Sequence, residues 1–311
     1  MKIGFLFPGQ GSQSLGMGED LYNFYDEIRE IYKKVNQILG IDVVNLTFSS
    51  SEEELSQTKN TQIAIFTMSL GILEVLKKNG IEANNLAGLS LGEYTALEYG
   101  GALDFETAVK IVEKRGEIMQ NNIPDGNWQM AGVLALSDSD VEKACKMVTK
   151  GFVAPANYNC PGQVVVSGDE EGIAEITEIA KELGAKKVSP IKTYGPFHTE
   201  KLEIASEKLR LELEKIDINI PNKIVYKNIN SEKYEKSDNM IDILAKHVKS
   251  PVHFSRIIQN MIDDGVDTFI EIGPGKILTS LVKRVSRDVK LININDKESL
   301  EQAIFELKEI K

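Results

Sequence analysis

Gly88-Leu89-Ser90-Leu91-Gly92 sets a serine between two glycines where a short apolar run, 85–89, gives way to Gly-Glu-Tyr-Thr-Ala-Leu-Glu, the first turns of a predicted helix. A serine so placed sits on a tight turn with its hydroxyl exposed. The new helix offers it backbone N–H donors and the positive end of its dipole. The chemistry this suits is nucleophilic attack, and a serine needs a base to perform it. Histidine is the usual base because it titrates near neutrality, and the chain has three, His198, His247 and His253. His198 follows the rigid Gly195-Pro196-Phe197 segment where two differently patterned regions meet, a place where clefts form. His247 and His253 bracket Pro251 in a polar stretch. Arg115 is the third chemical residue. Ile111, Val112, Ile118 and Met119 flank it at three- and four-residue spacing, so its guanidinium starts from the buried face of a helix. There it either snorkels or pairs with an internal carboxylate, or it awaits an anionic ligand whose carboxylate matches the planar fork. Lys110 and Lys114 fall on the solvated face.

These residues need elements to carry them. Residues 2–7 read as a buried strand, followed by the loop Pro8-Gly9-Gln10-Gly11-Ser12-Gln13. Leu21, Phe24, Tyr25, Ile28, Ile31, Tyr32, Val35 and Ile38 predict one amphipathic helix ending at Gly40. Helices over 62–78 and 105–121 enclose the strand that leads to Ser90, and such alternation implies a parallel sheet covered on both faces. Between about 126 and 196 the texture changes. Strand 130–136, helix 139–148, strands 152–156 and 163–167 around an Asn-Tyr-Asn-Cys-Pro-Gly turn, helix 170–183 and strand 186–191 give the order βαββαβ, a ferredoxin-like unit. The first pattern then resumes, with helices at 200–216, 241–248 and 256–263, strands at 224–226, 268–272 and 290–294, the Gly273-Pro274-Gly275 turn with a helix to 285, and a last helix. The predicted class is α/β: a large domain of 1–125 and 197–311 around a parallel sheet, with an inserted subdomain of 126–196.

Composition restricts the function classes. A chain of 311 residues with 42% hydrophobic content can bury a full core. No apolar run approaches the roughly 20 residues that span a bilayer, and the start of the chain is too short for a signal-peptide core, so a cytoplasmic location without membrane association is expected. The two cysteines, Cys145 and Cys160, give neither a disulfide framework nor zinc spacing. A formal charge of −11 argues against nucleic-acid binding.

Seven segments in order carry a family resemblance: Phe-Pro-Gly-Gln-Gly-Ser-Gln (7–13), Gly-Leu-Ser-Leu-Gly-Glu-Tyr (88–94), Arg115-Gly116 with Met119, Asn-Tyr-Asn-Cys-Pro-Gly-Gln-Val-Val (157–165), Gly-Pro-Phe-His (195–198), Ser-Pro-Val (250–252) and Glu-Ile-Gly-Pro-Gly (271–275). Over essentially its whole length the chain resembles the malonyl-CoA:acyl carrier protein transacylases of bacterial fatty-acid synthesis. The resemblance implies an α/β-hydrolase-like large domain with a ferredoxin-like insertion, in agreement with the pattern above. It also implies a ping-pong transfer of malonyl from malonyl-CoA to the phosphopantetheine thiol of acyl carrier protein. Ser90 would be the nucleophile, His198 the base, the backbone N–H groups of Gln10 and Leu91 the oxyanion hole, and Arg115 the carboxylate clamp with Met119 and Phe197 beside the substrate. No metal or redox cofactor is implied, and a monomer is expected.

The chain departs from the family pattern twice. Leu89 stands where most members have histidine, and His247 where glutamine is usual, a position whose backbone carbonyl orients the catalytic histidine in relatives. In related acyltransferases a bulky residue at the position of Phe197 goes with malonyl rather than an α-branched acyl group, so the resemblance implies malonyl here. A free-standing acyltransferase serving a polyketide assembly line is the alternative within the family. A serine thioesterase or esterase would share Ser90 and His198 but has no use for a buried arginine, and the chain lacks a His-Gly-Gly-Gly motif. An acidic carrier protein would need local basic surface, for which Lys186, Lys187, Lys192, Lys276, Lys283, Arg284 and Arg287 are the candidates.

Overall fold

Two sheets organise the chain in a computed structural model that describes residues 1–191 and 195–309; Lys192 lies outside the described residues. In chain order the elements begin β1 (Ile3–Phe7), α1 (Glu19–Phe24), α2 (Asp26–Leu39), α3 (Val43–Phe48), α4 (Glu52–Ser56), α5 (Thr58–Lys78), β2 (Asn85–Gly88), α6 (Leu91–Tyr99) and α7 (Phe105–Asn121). A second group follows: β3 (Trp128–Leu134), α8 (Asp138–Met147), β4 (Val153–Cys160), β5 (Gln163–Asp169), α9 (Glu170–Glu182) and β6 (Lys187–Ile191). After a 3₁₀ turn at Glu200–Leu202 come α10 (Glu203–Leu213), β7 (Ile224–Val225), α11 (Met240–His247), α12 (Phe254–Asp263), β8 (Thr268–Ile272), α13 (Ile277–Val285), β9 (Lys290–Ile294) and α14 (Lys297–Glu309).

The larger sheet is parallel, in the order β7-β2-β1-β8-β9. Parallel strands need covering helices on both faces, and the side chains divide accordingly. Phe5, Phe7, Leu86, Ile270 and Ile272 pack into a core with α2, α5, α7 and α10. Leu6, Ala87 and Phe269 face the opposite way, into a core with α12 and α13. Helix α5 is buried on nearly every side, which brings its polar residue Gln62 inside the protein.

The smaller sheet is antiparallel in the order β4-β5-β3-β6. With α8 and α9 it forms the ferredoxin-like βαββαβ unit, and Val164 and Val166 of β5 alternate onto the helix side with Ala131 and Val133 of β3. Its β4 also reaches the large domain, where Tyr158 N–H donates to the Val252 carbonyl at 2.8 Å and Val252 N–H to the Ala156 carbonyl at 2.9 Å. The fold class is thus an α/β-hydrolase-like layer with a ferredoxin-like unit inserted. Among the described residues no helix is long and apolar enough to cross a membrane.

Three local expectations change. The amphipathic helix predicted from Leu21 to Ile38 is two helices, because Tyr25 takes an extended conformation (φ −105°, ψ 122°) between α1 and α2. The Asn-Tyr-Asn-Cys segment is strand, not turn, because pairing with β5 and with Val252 satisfies its backbone. The helix predicted over 200–216 opens as a 3₁₀ turn and ends at Leu213.

Candidate active site

Ser90 stands between β2 and α6 with φ 54° and ψ −103°. A non-glycine residue there carries about 1–3 kcal/mol of strain and persists only where its surroundings over-determine it. The flanking glycines permit the turn. A Cβ on Gly88 would lie 1.9 Å from the Gly92 carbonyl carbon, and one on Gly92 would lie 2.0 Å from the Phe7 carbonyl oxygen. Leu91 is the first residue of α6, so its N–H has no acceptor within the helix. Gln10, on the loop after β1, donates through Nε2 to Thr58 Oγ1 at 3.3 Å.

His198 also holds a positive φ, 61°. Its N–H donates to the Val248 carbonyl at 3.0 Å, which fixes the ring against the segment after α11. His198 Nδ1 lies 3.0 Å from the His247 carbonyl and 3.1 Å from the Ser250 carbonyl. Carbonyl oxygens only accept, so Nδ1 carries the proton and Nε2 presents its lone pair. Ser90 Oγ lies 2.8 Å from that Nε2, and its hydroxyl donates to it. Burial, and secondarily the Arg115 charge, lower the His198 pKa to about 4, so the ring is neutral at pH 7 with the Nε2 lone pair free to accept a proton. Two carbonyls hold the imidazole where a carboxylate would do so in a Ser-His-Asp triad.

Arg115, on α7, is 1% exposed. Its Nη1 donates to Gln62 Oε1 at 2.6 Å and its Nη2 to Ser90 Oγ at 3.0 Å, and its guanidinium carbon lies 5.2 Å from the Tyr94 ring centroid. Among the described residues no carboxylate forms an ion pair with it. Burial pushes its pKa down, and the neighbouring Tyr94 and Glu93 oppose that shift. The result is a buried cation whose hydrogen-bond partners are neutral, with the Glu93 carboxyl near enough to act on its charge, three ångströms from a serine oxygen. Met119 lies one turn further along α7, with Sδ 3.6 Å from Gln62 Nε2. Phe197 is buried beside His198.

The His247 ring is fully buried, 3.4 Å through Nδ1 from Glu93 Oε2 and 5.4 Å between centroids from His198. Burial lowers its pKa well below the usual histidine value and raises that of Glu93 to about 7. Several residues at the site carry little local sequence signal. Gln62 was hidden in an apolar helix. Glu93 and Ser250 stood inside quoted motifs without a role. Asn228 carried one faint signal, its position just past the carboxyl end of β7, the strand paired with β2. Among the described residues no three His, Cys, Asp or Glu side chains converge as a metal site would require.

The fold and this geometry define an α/β-hydrolase-like enzyme whose candidate site sets a serine hydroxyl against a neutral histidine. Comparison with known proteins narrows that class. The profile of the acyl transferase domain matches residues 4–303, and the chain belongs to that family. It is 42% identical over 310 residues, 99% of this chain and 98% of the relative, to the malonyl CoA-acyl carrier protein transacylase of Bacillus subtilis strain 168. The protein of the same description from Staphylococcus aureus strain MRSA252 is 39% identical over 301 residues, covering 96% and 97% of the two chains. A crystal structure of malonyl CoA-acyl carrier protein transacylase from Clostridium perfringens superposes with a TM-score of 0.96 at 42% identity, covering 100% of this chain and 98% of the other. A malonyl-transacylase solved in complex with a type II PKS acyl carrier protein gives 0.95 at 33% identity, covering 98% and 100%.

Proposed function

We propose that this acyltransferase moves a malonyl group from malonyl-CoA to the phosphopantetheine thiol of acyl carrier protein, in the cytoplasm and as part of fatty-acid synthesis. The observation that carries the reading is Arg115, a buried cation hydrogen-bonded only to neutral Gln62 and Ser90 among the described residues, 3.0 Å from Ser90 Oγ. A hydrolase of neutral esters gains nothing from it, whereas malonyl brings the missing carboxylate.

The steps follow from the atoms in place. His198 Nε2 takes the Ser90 hydroxyl proton as Oγ bonds to the thioester carbonyl carbon. Leu91 and Gln10 N–H groups receive the oxyanion, each worth roughly 100- to 1,000-fold in rate. The C–S bond breaks, the CoA sulfur takes the proton from His198, and malonyl remains on Ser90. The carrier thiol then gives its proton to His198 and attacks the acyl-serine, and Ser90 leaves with that proton. The His247 and Ser250 carbonyls keep His198 in one tautomer throughout. No cofactor is drawn on. The proposed division places these groups in 1–125 and 197–311, outside the inserted 126–196.

Intact-mass measurement after incubation with malonyl-CoA tests the reading. The wild type is expected to gain one malonyl group and Ser90→Ala none, and Arg115→Ala is expected to lose its preference for malonyl over acetyl. Loading of methylmalonyl as fast as malonyl would remove Phe197 as a selector, whose discrimination from one methyl is limited to about 1–3 kcal/mol. For the carrier protein, α13 and its end expose Lys283, Arg284 and Arg287, beside a groove of about 400 Å³ lined by Gln163, Ser189, Ile191, Ser280, Leu281 and Arg284. Lys276, Lys186 and Lys187 are also exposed. Lys283→Glu with Arg284→Glu is expected to raise KM for the carrier and leave CoA kinetics unchanged.

A further inference from the structure

Asn228 is fully buried and reaches the nucleophile's backbone from a loop 138 residues away in sequence. Its Oδ1 accepts the Ser90 N–H at 2.7 Å, and its Nδ2 donates to the Gly88 carbonyl at 2.8 Å. The partners dictate the amide's orientation, since an N–H only donates and a carbonyl only accepts. Two successive peptide planes are therefore held, Gly88–Leu89 by its carbonyl and Leu89–Ser90 by its N–H. The direction of the Ser90 Cα–Cβ bond follows from the second plane and from φ, which is 54°. Serine does not keep such a φ unaided.

Asn228 is held in turn. Its N–H donates to Glu93 Oε2 at 3.1 Å, and its carbonyl accepts the His253 N–H at 2.9 Å. Glu93 Oε1 accepts the Tyr234 hydroxyl at 2.5 Å. Glu93 sits on α6, the helix that Ser90 begins, so the bracket closes on the nucleophile's own element. The His247 ring packs against the same Glu93 oxygen, with Nδ1 3.4 Å from Oε2, and the carbonyl of His247 accepts from His198 Nδ1. One buried unit thus backs both the serine and the histidine.

We propose that Asn228 is a positioning residue for acyl transfer. By fixing the two peptide planes before Ser90 it aims Oγ at His198 Nε2, with Glu93 holding Asn228 in place. The proposal rests on the reading of Ser90 as the nucleophile and is independent of which acyl group it carries.

The test uses the full chain with Asn228→Ala and Asn228→Asp. Three quantities are read: thermal midpoint, steady-state malonyl transfer, and the rate at which a fluorophosphonate labels Ser90, which needs an aligned serine and histidine and no malonyl. Asn228→Ala is expected to lose about 10- to 100-fold in kcat and in labelling rate. KM for malonyl-CoA should stay within about threefold, because Arg115 and Gln62 are untouched. Asn228→Asp keeps the acceptor for Ser90 N–H and loses the donor to Gly88, so it should recover part of the loss. If the alanine variant does not fold, the aspartate variant carries the same readings. Unchanged labelling in a folded variant, a loss confined to KM, or failure of both variants to fold overturns the proposal. Slowed labelling in Asn228→Ala, with a wild type that takes no malonyl, would instead sink the substrate reading and leave the positioning role standing.

Discussion

The two sheets bury different kinds of side chain. Around the parallel sheet Glu93, Arg115, His198, Lys227, His247 and Glu271 are all removed from solvent. From 126 to 191 the buried polar side chains are Asn157 and Ser167, and no charge is buried. Burying an ionisable group costs free energy unless hydrogen bonds or a partner offset the lost hydration. Glu93, Arg115, His198 and His247 carry that cost at the candidate site, whereas the ferredoxin-like unit buries no charged side chain. Mutations should therefore separate: around Ser90 they should cost activity more than stability, and within the small sheet the reverse.

The largest effect should come from His198→Ala. Loss of the proposed general base should cost about 10²–10⁴-fold, read as the rate of Ser90 acylation, with little change in the thermal midpoint. Its counterpart is Ile176→Ala in α9, where a fully buried side chain packs against the small sheet. Its removal should cost about 2–5 kcal/mol in denaturant unfolding and leave kcat of the folded enzyme within about twofold. A tenfold fall in kcat would break the comparison and give the small unit a direct part in catalysis.

Arg115→Ala sharpens the comparison through pH. His198 titrates at about 4 because burial, and then the Arg115 cation, disfavour imidazolium. Wild-type reactivity should hold from neutrality down to about pH 5 and fall as His198 protonates near 4. Removing the cation removes one cause, so the acid limb should move upward, toward the ordinary histidine value. The fluorophosphonate labelling rate against pH isolates this from substrate binding, and an unmoved limb would show that the arginine charge does not reach the base.

How much of this was legible depended on whether a residue's role is local. Ser90 was legible because two glycines and a strand-to-helix change announce a turn, and Arg115 because an arginine on an apolar stripe contradicts its surroundings. β8, β9 and α7 end where their apolar runs end. The break at Tyr25 was not legible, because Leu21, Phe24 and Ile28 keep helical spacing across it, and α3 and α4 are too short to show a period. The Asn157–Cys160 strand was masked by turn-forming residue types that non-local pairing overrides. Asn228 and Gln62 act through partners 138 and 53 residues away, a relation that no spacing rule can express.

The smallest predicted effect compares two carboxylates on one helix. Glu93 and Glu98 are both raised by burial to about 7. Glu93 receives hydrogen bonds from Asn228 and Tyr234, whereas the Glu98 side chain receives none among the described residues and is raised further by Glu74. A carboxyl at about 7 when folded and at its ordinary 4.5 when unfolded binds more protons in the folded state between those values. Stability from this source is therefore full below about 4.5 and is lost as pH rises toward 7. Glu98→Gln removes the titration and leaves the site intact. Its stability relative to wild type should be unchanged near pH 4.5 and should rise to a gain of about 1–3 kcal/mol above pH 7, with transfer activity retained. Changes at His198 and His247 are common to both proteins and cancel in that difference. A gain that does not vary with pH would mean that Glu98 is ionised throughout, and that burial on α6 burdens the protein only where the bracket behind Ser90 requires it.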